Sequence, residues 1–422
     1  MTNLVSESSY PTPYATSSLL SLLLLSMAGQ KHTPDTKTEI KDSYDYIVVG
    51  AGSAGSVVAS RLSEKSCVTV LLLEAGEPSP KLTDIPVINT YFTRTNLDWN
   101  FETTSQTHAG KGLINRKITI SAGKTIGGSS VINGLQNVRG NKRDFDNWAA
   151  QGAVGWSYEE VLPYFKKMES NTDSNFIRNG YHGVKGPLTV SKPKYDSELK
   201  AAVLEAANNM GYKLVDSNGP TQNGFFDLQA TMKDGQRCSA AKAYLVPNEN
   251  RENFDIISGA FVKKIIIKDR QAQGVIFEFR NETRRVFARK EVIVSTGTIN
   301  SAKLLMLSGI GPREELQKHK IPIIADLPVG RNLQEQYGTM LNFELGDQIQ
   351  PFSQKIRDED NIQEYIRSKR GPLTSVAGVS NIAFMNKVQV QPSDDYPDYE
   401  MYFGEGTHEI VREKYNIKEE VS

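Results

Sequence analysis

An α/β fold is predicted by three stretches in which glycine turns lead into a helical pattern. The first is Tyr46-Ile47-Val48-Val49-Gly50-Ala51-Gly52-Ser53-Ala54-Gly55, which continues to Arg61. The second is the glycine-rich run from Gly123 to Gly134. The third is Glu291-Val292-Ile293-Val294-Ser295-Thr296-Gly297, an apolar strand followed by a helical pattern over residues 300–307.

The first stretch carries the most chemistry. Gly50 permits a tight turn, Gly52 lets backbone approach a pyrophosphate, and Gly55 lets helix and strand pack closely. The helix that follows offers unpaired N–H groups to an anion. A second apolar run over residues 68–73 ends in Glu74, 24 residues after Gly50, where a carboxylate can hold ribose hydroxyls. Strand, glycine turn, helix, strand and acid in this order predict a Rossmann-like site for an adenine dinucleotide, either FAD or NAD.

After Glu74, the glycine and prolines at Gly76, Pro78, Pro80 and Pro86 predict an irregular loop. Gly123-Lys124-Thr125-Ile126-Gly127-Gly128-Ser129-Ser130-Val131-Ile132-Asn133-Gly134 ends in a helix start, with Ser and Asn as candidate caps. Two glycine turns in one chain suggest one extended ligand touched twice. Ser157 and Glu160 form a capping box for a short helix over residues 156–165. Residues 198–210 read as another helix, ended by Gly211. Residues 254–257, 262–267, 274–279 and 285–294 read as small antiparallel strands leading back to a central one.

At 422 residues, 38% hydrophobic and 23% charged, the chain has the composition of an ordinary globular protein of two or three domains. Lys plus Arg equals Asp plus Glu at 49 each, so no global field draws it to nucleic acid or an anionic membrane. Cys67 and Cys238 are too few for a disulfide framework or a zinc site, and no metal site is expected. Cys67, at the opening of the second strand, reads as a buried small residue. Residues 19–28 are apolar enough for a signal-peptide core and too short to span a bilayer, yet residues 1–18 hold no Lys or Arg. They read equally as a secretory signal or as a leader, and the sequon Asn281-Glu282-Thr283 is compatible with secretion. The chain divides into a leader (1–42), a nucleotide-binding region (43–336) and the start of a substrate-binding domain (337–422).

Taken together, these segments resemble the glucose–methanol–choline (GMC) oxidoreductases, particularly their insect glucose-dehydrogenase-like branch. The resemblance runs from about Tyr44 to about Gln334. Besides the first glycine stretch it rests on Leu71-Leu72-Leu73-Glu74-Ala75-Gly76, Leu97-Asp98-Trp99-Asn100, Gly127 to Gly134, Val138-Arg139-Gly140-Asn141-Lys142-Arg143-Asp144-Phe145-Asp146 and Leu305-Met306-Leu307-Ser308-Gly309-Ile310-Gly311-Pro312. It implies FAD rather than NAD, held by a Rossmann-like domain joined to a mainly antiparallel-sheet substrate domain that is incomplete in this chain. Gly50, Gly52, Ser53, Ala54, Gly55, Glu74 and Ala75 would hold the ADP half. Gly127, Gly128, Ser129, Asn133, Gly134, Leu135 and Gln136 would lie along the flavin half. Trp99 would join the cofactor contacts, the backbone of Val262 would meet the adenine, and Thr296 and Gly297 would approach the pyrophosphate.

The implied activity is oxidation of CH–OH groups of an alcohol or sugar: a base takes the hydroxyl proton while hydride passes from carbon to flavin. The electron acceptor is left open. The family's base is a histidine in a C-terminal segment, and none of the five histidines here, His32, His108, His182, His319 and His408, has that motif context. No catalytic residue is assigned on this basis. The alternative expectation is a noncatalytic FAD-binding chain, cut short inside its substrate domain.

Overall fold

The protein is described by a computed structural model that covers residues 29–336, 338–346, 349–376, 378–386 and 395–405, with residues 21–23, 25, 27, 417 and 418. Strand β1 (Ser43–Val49) runs into helix α1 (Ser53–Leu62), and β2 (Val70–Leu73) follows. β3 (Phe254–Ile257) lies beside β2, and a meander of β4 (Phe261–Lys268), β5 (Gln271–Phe279) and β6 (Glu282–Val294) brings the chain back to β1. The six strands lie in the order β3-β2-β1-β6-β5-β4. β3, β2, β1 and β6 are mutually parallel, with Tyr46 opposite Val70 and Val70 opposite Phe254; β4, β5 and β6 pair antiparallel.

Every residue of β2 and β3 is buried, as expected of parallel strands covered on both faces. One face packs Ile47, Leu71, Leu73, Val275, Phe277 and Leu304; the other packs Val48, Val70, Leu72, Phe254 and Ile256 against Ala59 of α1. The long β6 serves both halves of the sheet. Its first residues pair with β5, and from Phe287 to Val294 it pairs with β1. The segment after β6 forms α2 (Thr298–Leu307).

Between β2 and β3 the chain builds a second body. Its helices include Lys142–Ala150, Tyr158–Met168 and Glu198–Asn209, and the chain beyond α2 returns to it with an antiparallel pair, Val379–Met385 and Tyr399–Gly404, beside the short strand Gly224–Asp227. The helix at 158–168 starts as expected, the Glu160 carboxylate reaching back to the N–H and hydroxyl of Ser157. The helix at 198–209 is followed by Gly211 at φ +83°.

Four local expectations are corrected. Residues 254–257 do not form an antiparallel strand: β3 pairs parallel with β2 at the edge of the sheet, because the chain returns to β2 through the long excursion between them rather than by a hairpin. Ser129 and Asn133 do not cap a helix from its N-terminal side. The helical turn Ser129–Ile132 has Gly128 at its N-cap without a side-chain bond, and Asn133 ends it. Residues 75–86 are not wholly irregular, since Lys81–Asp84 and Pro86–Phe92 form 3₁₀ turns where the prolines set φ. Cys67 is exposed, because β2 begins three residues later at Val70 and leaves it in the preceding turn; Cys238 is the buried thiol.

Residues ahead of β1 pack on the body. Lys37 bonds Asp255 of β3, Lys31 pairs with Glu249 at 2.8 Å, and Leu23 and Met27 are buried among Ile85, Val87, Tyr365 and Leu373. No helix among the described residues is long and apolar enough to cross a membrane.

Candidate functional site

The first and second glycine turns touch each other. The Gly127 N–H donates to the Ala51 carbonyl at 2.8 Å, and a Cβ on Gly128 would lie 2.6 Å from the Gly52 Cα. Gly128 sits at φ +55°, and no other residue tolerates both that angle and that contact. The third glycine stretch closes on the same place. Gly50, at φ +98°, would drive a Cβ to 2.5 Å from the Ser295 carbonyl oxygen, and the Ser295 N–H donates to the Val49 carbonyl. A Cβ on Gly55 would sit 1.8 Å from the Gly50 carbonyl oxygen, which is why helix α1 can approach β1 so closely.

Gly52 differs from its neighbours. An added Cβ there would meet only the Gly128 Cα, at 3.9 Å, and it points into open space. Ser53 and Ala54 lie exposed at the start of α1, and its N-terminus carries neither a side-chain cap nor an acidic residue in its first turn. Helix α2 begins in the same way. Gly297 is its exposed, uncapped N-cap at φ +80°, with no atom of the described residues within 4 Å of an added Cβ and no acid in the first turn. Thr296 is half-buried, its hydroxyl 3.0 Å from that of Ser301. Two helices therefore present unsatisfied N–H groups and the positive ends of their dipoles.

Glu74, at the end of β2, is buried and accepts from the N–H of Ala51 at 2.7 Å and of Gly76 at 2.9 Å. Burial lifts its carboxyl to about 7, against the opposing pull of those backbone donors. Ala75 is half-buried beside it, and Gly76 is packed against the Lys124 carbonyl of the second turn.

Trp99 stands at one border of this region, stacked on Phe101, tilted against Phe261 of β4 with ring centres 6.1 Å apart, and with the Lys124 ammonium 4.9 Å from its ring centre. Val262, next to Phe261, has its side chain in the core, so only its backbone is available to a ligand. On the other side Ser129 is exposed, and its hydroxyl accepts from the Gly123 N–H at 3.0 Å. Asn133 is exposed, Gly134 half-buried, and Leu135 buried at φ +57°. Gln136 bridges to Ala230 of the second body.

The glycine, acid and strand-end residues therefore converge on one open region. The histidines do not. His182 is fully buried between Glu169, at 2.9 Å, and Asp216, at 2.8 Å. The His32 ring meets the Ser79 carbonyl, His319 pairs with Glu315 on an exposed helix, and His108 is exposed on a loop. His408 lies outside the described residues.

One residue behind the site escapes sequence reasoning. Arg237, fully buried, donates from Nε to the Thr83 carbonyl and from Nη1 to the Ser130 carbonyl and the Asn133 side-chain oxygen. Its sole signal in the sequence is a lone arginine ahead of the small-residue run Cys238-Ser239-Ala240-Ala241, which no spacing rule picks out.

A family model described as GMC oxidoreductase matches residues 44–338. The chain belongs to the GMC oxidoreductase family. It is 37% identical over 373 residues to "Glucose dehydrogenase [FAD, quinone]" of Drosophila pseudoobscura pseudoobscura, covering 87% of this chain and 59% of that protein. It is 40% identical over 314 residues to an oxygen-dependent choline dehydrogenase of Brucella suis biovar 1, covering 74% of this chain and 56% of the other. Among solved structures, an FAD-dependent oxidoreductase from Chaetomium thermophilum superposes with a TM-score of 0.71 at 30% identity, covering 81% of this chain and 62% of that one. A formate oxidase superposes with a TM-score of 0.75 at 25% identity, covering 88% and 70%. The chain thus spans 59% of the length of the glucose dehydrogenase.

Proposed function

We propose that the chain binds FAD and is the FAD-binding part of an oxidoreductase that takes hydride from the CH–OH group of an alcohol or sugar. The observation that carries this reading is the contact of Gly52 with Gly128 in front of two uncapped helix N-termini, beside the buried carboxylate of Glu74. The open helix ends suit a pyrophosphate, which finds no global positive field in a chain with no net charge. Glu74 suits the ribose hydroxyls, and Trp99, Phe261 and the Val262 backbone suit the adenine. Ser129 to Gln136 would line the flavin half. When bound, FAD supplies the hydride acceptor; the chain's own residues hold and orient it. The relatives' names supply the substrate class: glucose in one case, choline in another.

The test is to purify the 422-residue chain and record its visible spectrum, then mix it without oxygen with glucose, choline and a series of primary alcohols. Bound flavin that bleaches with one of them supports the whole reading. A colourless chain that takes up no added FAD overturns it.

A second reading, a chain that holds FAD without turning over, is favoured by the placement of the described histidines. His182 is locked between two carboxylates, and the His319 side chain is 58% exposed on a surface helix. Flavin that binds but does not bleach with any donor is its expected signature.

Glu74 makes FAD affinity depend on pH. Ribose hydroxyls donate to the carboxylate and favour its charged form, so FAD binding lowers a carboxyl that stands at about 7 in the free protein. Binding then releases a proton and strengthens as pH rises through that value. An increase of about tenfold in affinity is expected between roughly pH 6 and pH 8, from the linkage of one such group. Equilibrium titration of the apoprotein with FAD measures it, and Glu74→Gln should flatten the profile. A wild-type affinity independent of pH would show that the ribose is held elsewhere.

A further inference from the structure

We propose that Arg237 is a positioning residue for the flavin half: it locks the Asn133 amide with its oxygen inward and its NH₂ outward, so that Asn133 offers a hydrogen-bond donor to the isoalloxazine. The inference rests on the FAD reading above. The orientation of Asn133 follows from donors alone. Its Oδ1 receives the Leu135 N–H at 3.1 Å and the Arg237 Nη1 at 2.8 Å, and both groups can only donate. A flipped amide would set NH₂ against two N–H groups. The nitrogen therefore faces the exposed side of Asn133, in the run Ser129 to Gln136.

Arg237 is costly for a purely structural tie. Its side chain is fully buried, and among the described residues its Nη2 has no hydrogen-bond partner and its bonds go to neutral oxygens. The nearby carboxylate Asp84 is already paired with Lys242 at 3.0 Å, itself buried. A buried guanidinium without a carboxylate is unfavourable unless an anionic or electron-accepting group nearby gains from it. It ties two segments far apart in the chain, one at Thr83 and the other at the helical turn that carries Ser130 and Asn133. Its charge also polarises the Asn133 amide, which sharpens the outward N–H donors.

The experiment compares Arg237→Met, Asn133→Leu, the double variant and Asn133→Asp in the full chain. FAD dissociation constants, the positions of the visible flavin bands and the flavin midpoint potential are measured. Arg237→Met and Asn133→Leu should each weaken FAD binding about tenfold, the effect of one charge-assisted or well-placed hydrogen bond. Both should shift the bands in the same sense and lower the potential. The double variant should be no worse than Asn133→Leu, because Arg237 acts through Asn133.

Asn133→Asp guards against a simple folding defect. Its carboxylate pairs with the buried Arg237, so this variant should melt at or above the wild-type temperature and yet bind FAD about tenfold more weakly, the outward donor being lost. Additive losses in the double variant, or wild-type flavin bands, potential and affinity in Asn133→Asp, would overturn the assignment. A wild-type chain that takes up no FAD overturns the FAD reading and this one with it, whereas flavin present but indifferent to all four variants removes this one alone.

Discussion

Gly52→Val is expected to strip the chain of flavin while leaving it folded, and Gly55→Val is expected to leave little folded protein at all. The two residues lie in one glycine turn, three positions apart, and differ only in what their hydrogens face. At Gly55 a Cβ would stand 1.8 Å from the Gly50 carbonyl oxygen, a backbone atom that cannot move without separating α1 from β1. Overpacking of this kind costs about 3 kcal/mol or more, a large part of the stability of an ordinary domain. At Gly52 the backbone is extended, with φ −72° and ψ −167°, which any residue adopts, and the protein lies no nearer than 3.9 Å. The cost to the fold is then mainly that of a poor N-cap, about 1 kcal/mol. The valine methyls would occupy the space in front of the α1 N-terminus, where a pyrophosphate must approach the backbone, and a loss of affinity on the order of a hundredfold is expected from displacing those contacts. Circular dichroism melting and the flavin-to-protein absorbance ratio of purified material separate the two effects. A folded Gly52→Val chain with full flavin would place the pyrophosphate away from this turn, and a stable Gly55→Val chain would mean that α1 does not pack closely on β1.

This pair of residues also shows why part of the site is readable in the sequence. Gly50, Gly52, Gly55 and Glu74 lie within one strand, helix and strand unit, so their roles follow from local geometry and a fixed interval along the chain. The meander and α2 are readable for the same reason, apolar runs with turn residues between them; β3 is readable as a strand but not in its direction, since an apolar run does not show which neighbour it pairs with. The contact between Gly52 and Gly128 is only suggested, as one ligand touched twice, because no spacing rule joins residues 76 positions apart. Arg237 is invisible. Its acceptors at Thr83, Ser130 and Asn133 lie more than 100 residues earlier in the sequence, two of them backbone carbonyls that every residue type supplies. Asn133 reads wrongly as a cap, since an amide that caps and one that turns outward are the same letter. Cys67 reads wrongly as buried because a shift of three residues in a strand's start decides between core and turn.

Glu169→Ala should destabilise the chain by about 3–5 kcal/mol, the loss expected when one partner is removed from a buried charge network. Glu169 is fully buried. It takes Arg139 Nη2 at 2.5 Å and His182 Nδ1 at 2.9 Å, and the other ring nitrogen of His182 meets Asp216 at 2.8 Å. Two cations and two carboxylates balance there, and Asn171 and Gln229 bond the carboxylates. Without Glu169, Arg139 and His182 are left in the interior with one carboxylate between them. The damage should reach the cofactor, because the Arg139 N–H donates to Asn218 and the Asn137 N–H to the Gln229 carbonyl, anchoring the segment that begins at Asn133. Flavin retention and melting temperature should therefore fall together. The same network sets a pH limit. Burial alone would lower the His182 imidazole, but its bonds to Asp216 and Glu169 overrule this and raise it to about 9 from an ordinary 6.5. A raised basic group stabilises fully below its unfolded value and loses that contribution as pH climbs through the folded one, so up to about 3 kcal/mol should disappear between roughly pH 6.5 and 9. Glu169 and Asp216 are held below the usual carboxylate range, although burial opposes it, by His182 and, for Glu169, by Arg139 as well, and their contribution is lost only as pH falls through that depressed range. Denaturant unfolding across this pH series measures both limbs. His182→Gln should start less stable and lack the alkaline decline, and a variant that keeps the wild-type decline would assign it to another group.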